Sequence, residues 1–338
     1  MTADQIKEVL PGVYRIPVPL KGNPLKELNS YAFRGDVKGN GTRNILVDTG
    51  FRTEDCRREL LEGLRLLNFK REETDILLTH LHADHSGNAP DIVYPGNHVY
   101  ISRIDMQYTV GREDESGVAS LHRNRVKRLK KNGIPEELIR EMLACTPSRT
   151  MAPDSDFKDY TPLDEGDEIH AGKYTLKAIY TPGHTPGQMC FNIEGTGAML
   201  LGDHVLFDIT PNITDWAGVE DSLGNYLASL DKIDRYEVTI PLPSHRNPAD
   251  FHERIKALKA HHQRRLEECR QVIGRLKKAQ LYDITGNMTW KIRAASWDDF
   301  PPAQRWFALG ECLSHIDHLK KEGKIKEHEE GGLYWYEA

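Results

Sequence analysis

The chain has 338 residues, 38% of them hydrophobic and 28% charged, and carries a formal net charge of −6. No apolar run approaches the ~20 residues of a membrane-spanning helix, and the acidic balance argues against a surface built throughout for nucleic acid, leaving only a local basic groove open. Five scattered cysteines (Cys56, Cys145, Cys190, Cys269 and Cys312) form no C-x-x-C pair, so reduced thiols are expected rather than a disulfide scaffold or a cysteine-ligated zinc.

In chain order, the start "MTADQIKEVLPGVYRIPVPL" has no basic segment followed by an apolar core, so no signal peptide is expected and the cytoplasm is the default location. Short β-like runs follow: "VYRIPV", "NILVDTG", then a helix near Glu54 to Leu67, then "DILLTH" and "HVYIS". From about Arg103 to Ala152 the texture is helical and charged, and it reads as an insertion. Strands resume with "YTLKAIYT", "QMCFNI" and "AMLLGD", separated by the turn-rich "PGHTPG" and "EGTG". A helix near Asp221 to Leu230 and the strand "EVTIPLP" lead to "SHRNPAD", whose last residues start a long amphipathic helix predicted from Phe251 to Lys278. The tail closes on two alternating runs, "KIKEHEE" and "GLYWYEA", which predict a small winged-helix-like α+β domain. Two domains are therefore expected, 1–250 with the insertion at about 103–152, and 251–338.

The heptad "HLHADHS", residues His80 to Ser86, sits directly after the apolar run "DILLT". Loops leaving strand ends are where side chains converge on a ligand while the strands hold them. Imidazoles and a carboxylate without thiolate suit borderline to hard divalent metals. His80 and His82 would flank one metal, and Asp84 and His85, further round the loop, can address a second. His184 in "TPGHTPG", Asp203 in "LLGDHV" and His245 in "PLPSHRN" each follow a β-like run. Together these residues supply what two neighbouring metals need if one carboxylate bridges them. Most remaining histidines read as ordinary hydrogen-bonded groups, His262 and His315 among them. His204 reads either as a group orienting a ligand or as strand-end packing.

The order of these motifs resembles the metallo-β-lactamase superfamily, whose H-x-H-x-D-H pattern stands here as His80, His82, Asp84 and His85. The likeness implies an αββα four-layer sandwich over roughly residues 10 to 250. By the same likeness, His184 completes the first metal set, Asp84, His85 and His245 hold the second, and Asp203 bridges. Asp48 in "ILVDTG" resembles the family's early strand aspartate, which buttresses the metal loop without being a ligand. Two divalent ions are implied, zinc first, with iron and manganese also matching an N/O donor set. Such a pair activates a shared water for attack, and the likeness assigns Asp84 to orient that water and take its proton. Ser86 and Cys190 are left to turn and strand packing.

Asp203 stands where β-lactamases of the commonest zinc subclass place a cysteine, so the chain is more similar to the glyoxalase II, lactonase and nuclease branches. "GDHVLFDITPNIT", "DSLGNYLASLDKI" and "LSHIDHLKKEGKI" resemble a subgroup with a C-terminal winged-helix-like domain. The favoured reading is hydrolysis of a small-molecule ester, thioester or lactone, with Arg246 available to a substrate carboxylate or phosphate. A phosphodiesterase or ribonuclease is the alternative, resting on the basic run Arg123, Arg125, Lys127, Arg128, Lys130 and Lys131. The tail, with 16 Lys and Arg against 14 Asp and Glu from Asp250 onward, lacks the balance of a nucleic-acid module. A mononuclear-iron persulfide dioxygenase using His80, His184 and Asp203, and a DNA-binding regulator, rank lower. No membrane partner is expected, and the amphipathic C-terminal helices are compatible with a homodimer.

Overall fold

Side-chain alternation along the strands sets the layers of the fold, which the computed structural model describes for residues 1–110, 117–292 and 294–338. One sheet has seven strands in chain order: β1 (Lys7–Leu10), β2 (Val13–Leu20), β3 (Lys26–Phe33), β4 (Asn44–Val47), β5 (Thr74–Leu77), β6 (Val99–Ser102) and β7 (Thr161–Leu163). The first four are antiparallel, and β4 through β7 run parallel. Parallel pairing requires crossovers. These are α1 (Glu54–Leu66), the short α2 (Ala83–Ser86) and α3 (Ala89–Ile92), and the helical stretch of α4 (Arg103–Val110), α5 (Gly117–Lys131), α6 (Glu136–Ala144) and α7 (Pro147–Thr150). That helical stretch covers the segment that the sequence reads as an insertion, and its residues 111–116 lie outside the described ones.

The second sheet contains β8 (Glu168–Ala171), β9 (Tyr174–Tyr180), β10 (Met189–Ile193), β11 (Ala198–Gly202) and β12 (Ile240–Pro243), in the order β12-β11-β10-β9-β8. Only β11 and β12 are parallel, joined across α8 (Ser222–Ile233). The chain ends with α9 (Phe251–Leu276), α10 (Leu281–Gly286), α11 (Pro302–Lys321) and the hairpin β13 (Lys326–Glu330) and β14 (Leu333–Glu337). Asp250 caps α9 by accepting from the Glu253 amide, so "NPAD" does start that helix. Its end comes at Leu276, because Lys277 adopts a left-handed φ of 65°.

Along β10, Met189, Phe191 and Ile193 enter a core between the two sheets with Phe33, Val47 and Leu242, while Cys190 turns outward. β11 repeats the pattern, with Ala198 and Leu200 inward and Met199 and Leu201 outward. On the far side of the first sheet, Ile16, Val18 and Leu46 pack against Leu60 and Leu64 of α1. The result is helix, sheet, sheet, helix, the four layers expected. The outer core beyond the second sheet is continuous. It takes Leu129 of α5, Met142 of α6, Leu230 of α8, Cys269 of α9, Leu313 of α11 and Tyr336 of β14. The insertion and the C-terminal helices thus share one apolar core with the sheet that carries His184, Asp203 and His245. All five cysteines are free thiols, four of them buried. Among the described residues no helix is long and apolar enough to cross a membrane.

Candidate metal centre

Both sheets deliver their strand ends to one edge. β5 ends at Leu77, and the chain turns through His80 and His82 into α2, which carries Asp84 and His85. From the second sheet come His184 in the β9–β10 turn, Asp203 directly after β11, and His245 two residues after the end of β12. The structure brings all seven of these side chains together. Their donor atoms form three overlapping groups, His80/His82/His184, His80/His85/Asp203 and Asp84/His85/His245, each with all its donor atoms within 4.8 Å of one another.

In the first group, His82 Nδ1 lies 3.1 Å from His80 Nε2 and 2.8 Å from His184 Nε2. In the last, His245 Nε2 lies 3.4 Å from Asp84 Oδ2 and 3.4 Å from Asp203 Oδ1, and His85 Nε2 lies 3.7 Å and 3.5 Å from the same two carboxylates. Asp203 faces both sides, since its Oδ2 is 3.7 Å from His184 Nε2. His85 Nε2, His245 Nε2 and Asp203 Oδ1 are buried without a hydrogen-bond partner. Orphaned polar atoms that converge in this way are costly unless something binds them. Nitrogen and oxygen donors at this spacing fit divalent metal ions.

The opposite edges of the rings explain why these lone pairs converge. Asp48, held at a left-handed φ of 58°, accepts from the Thr79 amide at 2.9 Å and the Thr79 hydroxyl at 2.8 Å, and from His85 Nδ1 at 2.8 Å. Having donated to Asp48, the Thr79 hydroxyl accepts from His80 Nδ1 at 3.1 Å. His184 Nδ1 donates to the Asn212 carbonyl at 2.9 Å, and His245 Nδ1 to the Glu27 carbonyl at 2.8 Å. Each bond fixes a tautomer and leaves Nε2 free to bind a metal. Burial, reinforced by neighbouring imidazoles, drives His80 well below the usual range and His82 down to about 3. On the other side burial opposes charge, yet His85 and His245 hold Asp84 down at about 2 and Asp203 lower still. His85 is raised in spite of its burial by Asp48, Asp203 and Asp84.

Two positioning residues have no signal in the sequence. Asp105, fully buried at the start of α4, accepts from the Leu81 amide at 2.9 Å, the Thr185 hydroxyl at 2.8 Å and the Gly187 amide at 2.6 Å. It thereby ties the His80–His85 turn to the His184 turn. Burial pushes its carboxyl up to about 7 against the pull of those donors. Asn29 of β3 holds the His245 loop, donating from Nδ2 to the Pro243 carbonyl at 3.0 Å and the Arg246 carbonyl at 2.8 Å.

His204, Arg246 and the basic run of α5 supply no donor to the three groups. His204 packs against Tyr226 with ring centroids 5.0 Å apart and joins none of the three groups. Arg246 directs its guanidinium to the Pro24 carbonyl at 2.7 Å. The basic run of α5 splits: Lys127 and Lys130 are exposed, while Arg128 pairs with Asp317 of α11 at 2.6 Å and with Asp215 at 3.4 Å. Arg125 stacks over Trp306 at 4.0 Å and donates to the Trp306 carbonyl. The strongest part of the expected phosphate surface is therefore an internal clasp between the insertion, the 212–216 loop and α11.

Comparison with known proteins agrees with this geometry. A family model described as "Metallo-beta-lactamase superfamily" matches residues 28–245. A "Lactamase-like protein adaB" of Aspergillus niger is 26% identical over 90% of this chain and 89% of its own. An "Atrochrysone carboxyl ACP thioesterase nsrC" of Aspergillus novofumigatus is 25% identical over 71% of this chain and 56% of its own. Among solved structures, a metallo-beta-lactamase family protein from Thermus thermophilus superposes with a TM-score of 0.76 at 29% identity, covering 97% of this chain and 99% of that one.

Proposed function

This chain belongs to the metallo-beta-lactamase superfamily as a metal-dependent hydrolase, and we propose that it uses two metal ions to cleave a small carboxylic thioester or ester. The observation that carries the two-metal reading is Asp203, whose oxygens face both donor groups. His80, His82 and His184 would hold one ion, and Asp84, His85 and His245 the other, with Asp203 shared. Zinc suits these imidazole and carboxylate donors. The ions would supply an activated water and a polarised substrate carbonyl.

The chain's own groups do the rest. Asp84 is the acid of the set that keeps more contact with solvent, its side chain 13% exposed against 8% for Asp203. Its carboxylate is ionised, so it can orient the attacking water and take its proton. Asp48, Asp105 and Asn29 touch no substrate, and they hold the donors in register. The ester or thioester class is supported by the thioesterase named among the relatives. The inward turn of Arg125 and Arg128 removes much of the support for a phosphodiester substrate. We assign 1–250 as the catalytic domain and 251–338 as a winged-helix-like module built of α9, α10, α11 and the hairpin, packed on the catalytic core.

The test is a panel of S-acyl thioesters, aryl esters, lactones and a phosphodiester assayed before and after dialysis against a chelator. Thioester or ester cleavage that disappears on chelation and returns with zinc supports the proposal. Chelator-sensitive phosphodiester cleavage without ester cleavage overturns the substrate class.

A further inference from the structure

Beside the first donor group stands a side chain that neither the metal set nor the proton transfer uses. The Trp216 indole lies over the His82 ring with centroids 5.9 Å apart and planes 29° from parallel. Its Nε1–H donates to the His184 carbonyl at 3.2 Å, and the Tyr108 ring of α4 meets it edge-on at 5.8 Å. Tyr108 is itself tied down, donating to the Ala217 carbonyl at 2.6 Å. The indole is thus fixed against two of the donor histidines, yet it remains only half-buried.

Its support is rigid. Asp215, the preceding residue, is buried between Arg125 and Arg128 at 3.8 Å and 3.4 Å. Two residues before that, Ile213 gives its carbonyl to the Ser314 hydroxyl of α11 at 2.7 Å. Asn212, which accepts from His184, brings its side chain to the Phe307 carbonyl of α11 at 3.5 Å. Phe307 is one of three large apolar side chains exposed among the described residues. The clasp consumes the guanidinium groups of Arg125 and Arg128, so neither is left to receive an anion here. What the loop presents beside the metal centre is a flat aromatic face held in one orientation.

We propose that Trp216 is a specificity-determining residue and forms the acyl-binding wall, so that the site prefers thioesters or esters with a flat aromatic acyl group over those with a short aliphatic one. The inference rests on the ester-cleaving reading given above. A preordered indole offers a flat ring offset stacking on the part that His82 and Tyr108 leave open, at little entropic cost, whereas an acetyl group covers only a corner of it.

The experiment compares kcat/KM for S-benzoyl and S-acetyl N-acetylcysteamine in the zinc-loaded protein and in Trp216→Ala and Trp216→Phe, with metal content measured alongside. The wild type should favour benzoyl, and Trp216→Ala should lower the benzoyl-to-acetyl ratio by about tenfold, with Trp216→Phe between and metal content kept. An unchanged ratio in a metal-replete Trp216→Ala, or a wild type indifferent to the acyl group, overturns the proposal. If the wild type cleaves neither thioester, the thioester reading fails, and the wall is judged by calorimetric binding of benzoate and acetate. Tighter benzoate binding that is lost in Trp216→Ala sustains the wall, and equal binding overturns it. Should Trp216→Ala not fold, the Trp216→Phe ratio decides, since phenylalanine keeps an aromatic face of smaller area and loses the Nε1 bond: a lowered benzoyl-to-acetyl ratio sustains the wall, and an unchanged one overturns it.

Discussion

Two sets of histidines are equally hidden in this molecule and have opposite meanings. His80, His85 and His245 at the metal centre, and His204 with His262 of α9 and His315 of α11, are all no more than 1% exposed. In the first set the outer nitrogen donates to a fixed acceptor, and Nε2 meets carboxylates and other imidazoles at a common point. In the second, His262 Nδ1 lies 3.4 Å from His315 Nε2, His315 Nδ1 bonds the Glu311 carbonyl at 2.7 Å, and among the described residues no third donor converges. Burial pushes His262 well below its usual range and His315 down to about 4, so both are neutral packing groups. Depth alone does not mark a ligand. Convergence of lone pairs with a carboxylate does.

The sharpest way to break this contrast is to remove one member of each set. His245→Ala should abolish most hydrolysis and lower metal content, a loss larger than the roughly 100-fold that marks the upper range for outer partners of a metal. Asp105→Asn should come next, because one oxygen that bridged the two ligand turns becomes an NH2 facing their donors. A drop of about 10–100-fold in metal affinity, read by competition with a chromogenic chelator, is expected. Asp215→Asn should act more on stability than on chemistry, since it leaves Arg125 and Arg128 short of a buried counter-ion. About 3 kcal/mol of destabilisation in denaturant titration is expected, with the protein still binding metal. The smallest effect belongs to His262→Leu, which removes a buried Nε2 without a partner. Because it also leaves the buried His315 Nε2 without its long contact to His262, it should cost about 1 kcal/mol of stability and leave metal content and turnover where they are. If His262→Leu cost metal while His245→Ala did not, the contrast would collapse.

How much of this was legible in the sequence follows from how local each signal is. The seven donors could be read because each sits within a few residues of a recognisable strand, and four of them share one heptad. The strands of the second sheet were likewise visible in runs such as "QMCFNI" and "AMLLGD", while the four-layer arrangement came only from the family resemblance. β3 escaped notice because "KELNSYAF" mixes buried Asn29 and Ser30 into its apolar face, where they bond the Pro243, Val47 and Asp48 carbonyls instead of facing water. Asp105 lies in a charged, helical stretch and acts through partners 24 and 82 residues away. Nothing in its neighbours distinguishes it from a surface acid. The basic run of α5 misled for the same reason, since the acids that neutralise Arg128 are 87 and 189 residues further on.

The central claim is that two ions share Asp203, and metal counting tests it most directly. Protein loaded with zinc, freed of excess metal by gel filtration and analysed by plasma mass spectrometry should hold close to two ions per chain, falling to one or fewer in Asp203→Ala. A wild type that holds no more than one ion per chain at saturation would contradict the two-metal account.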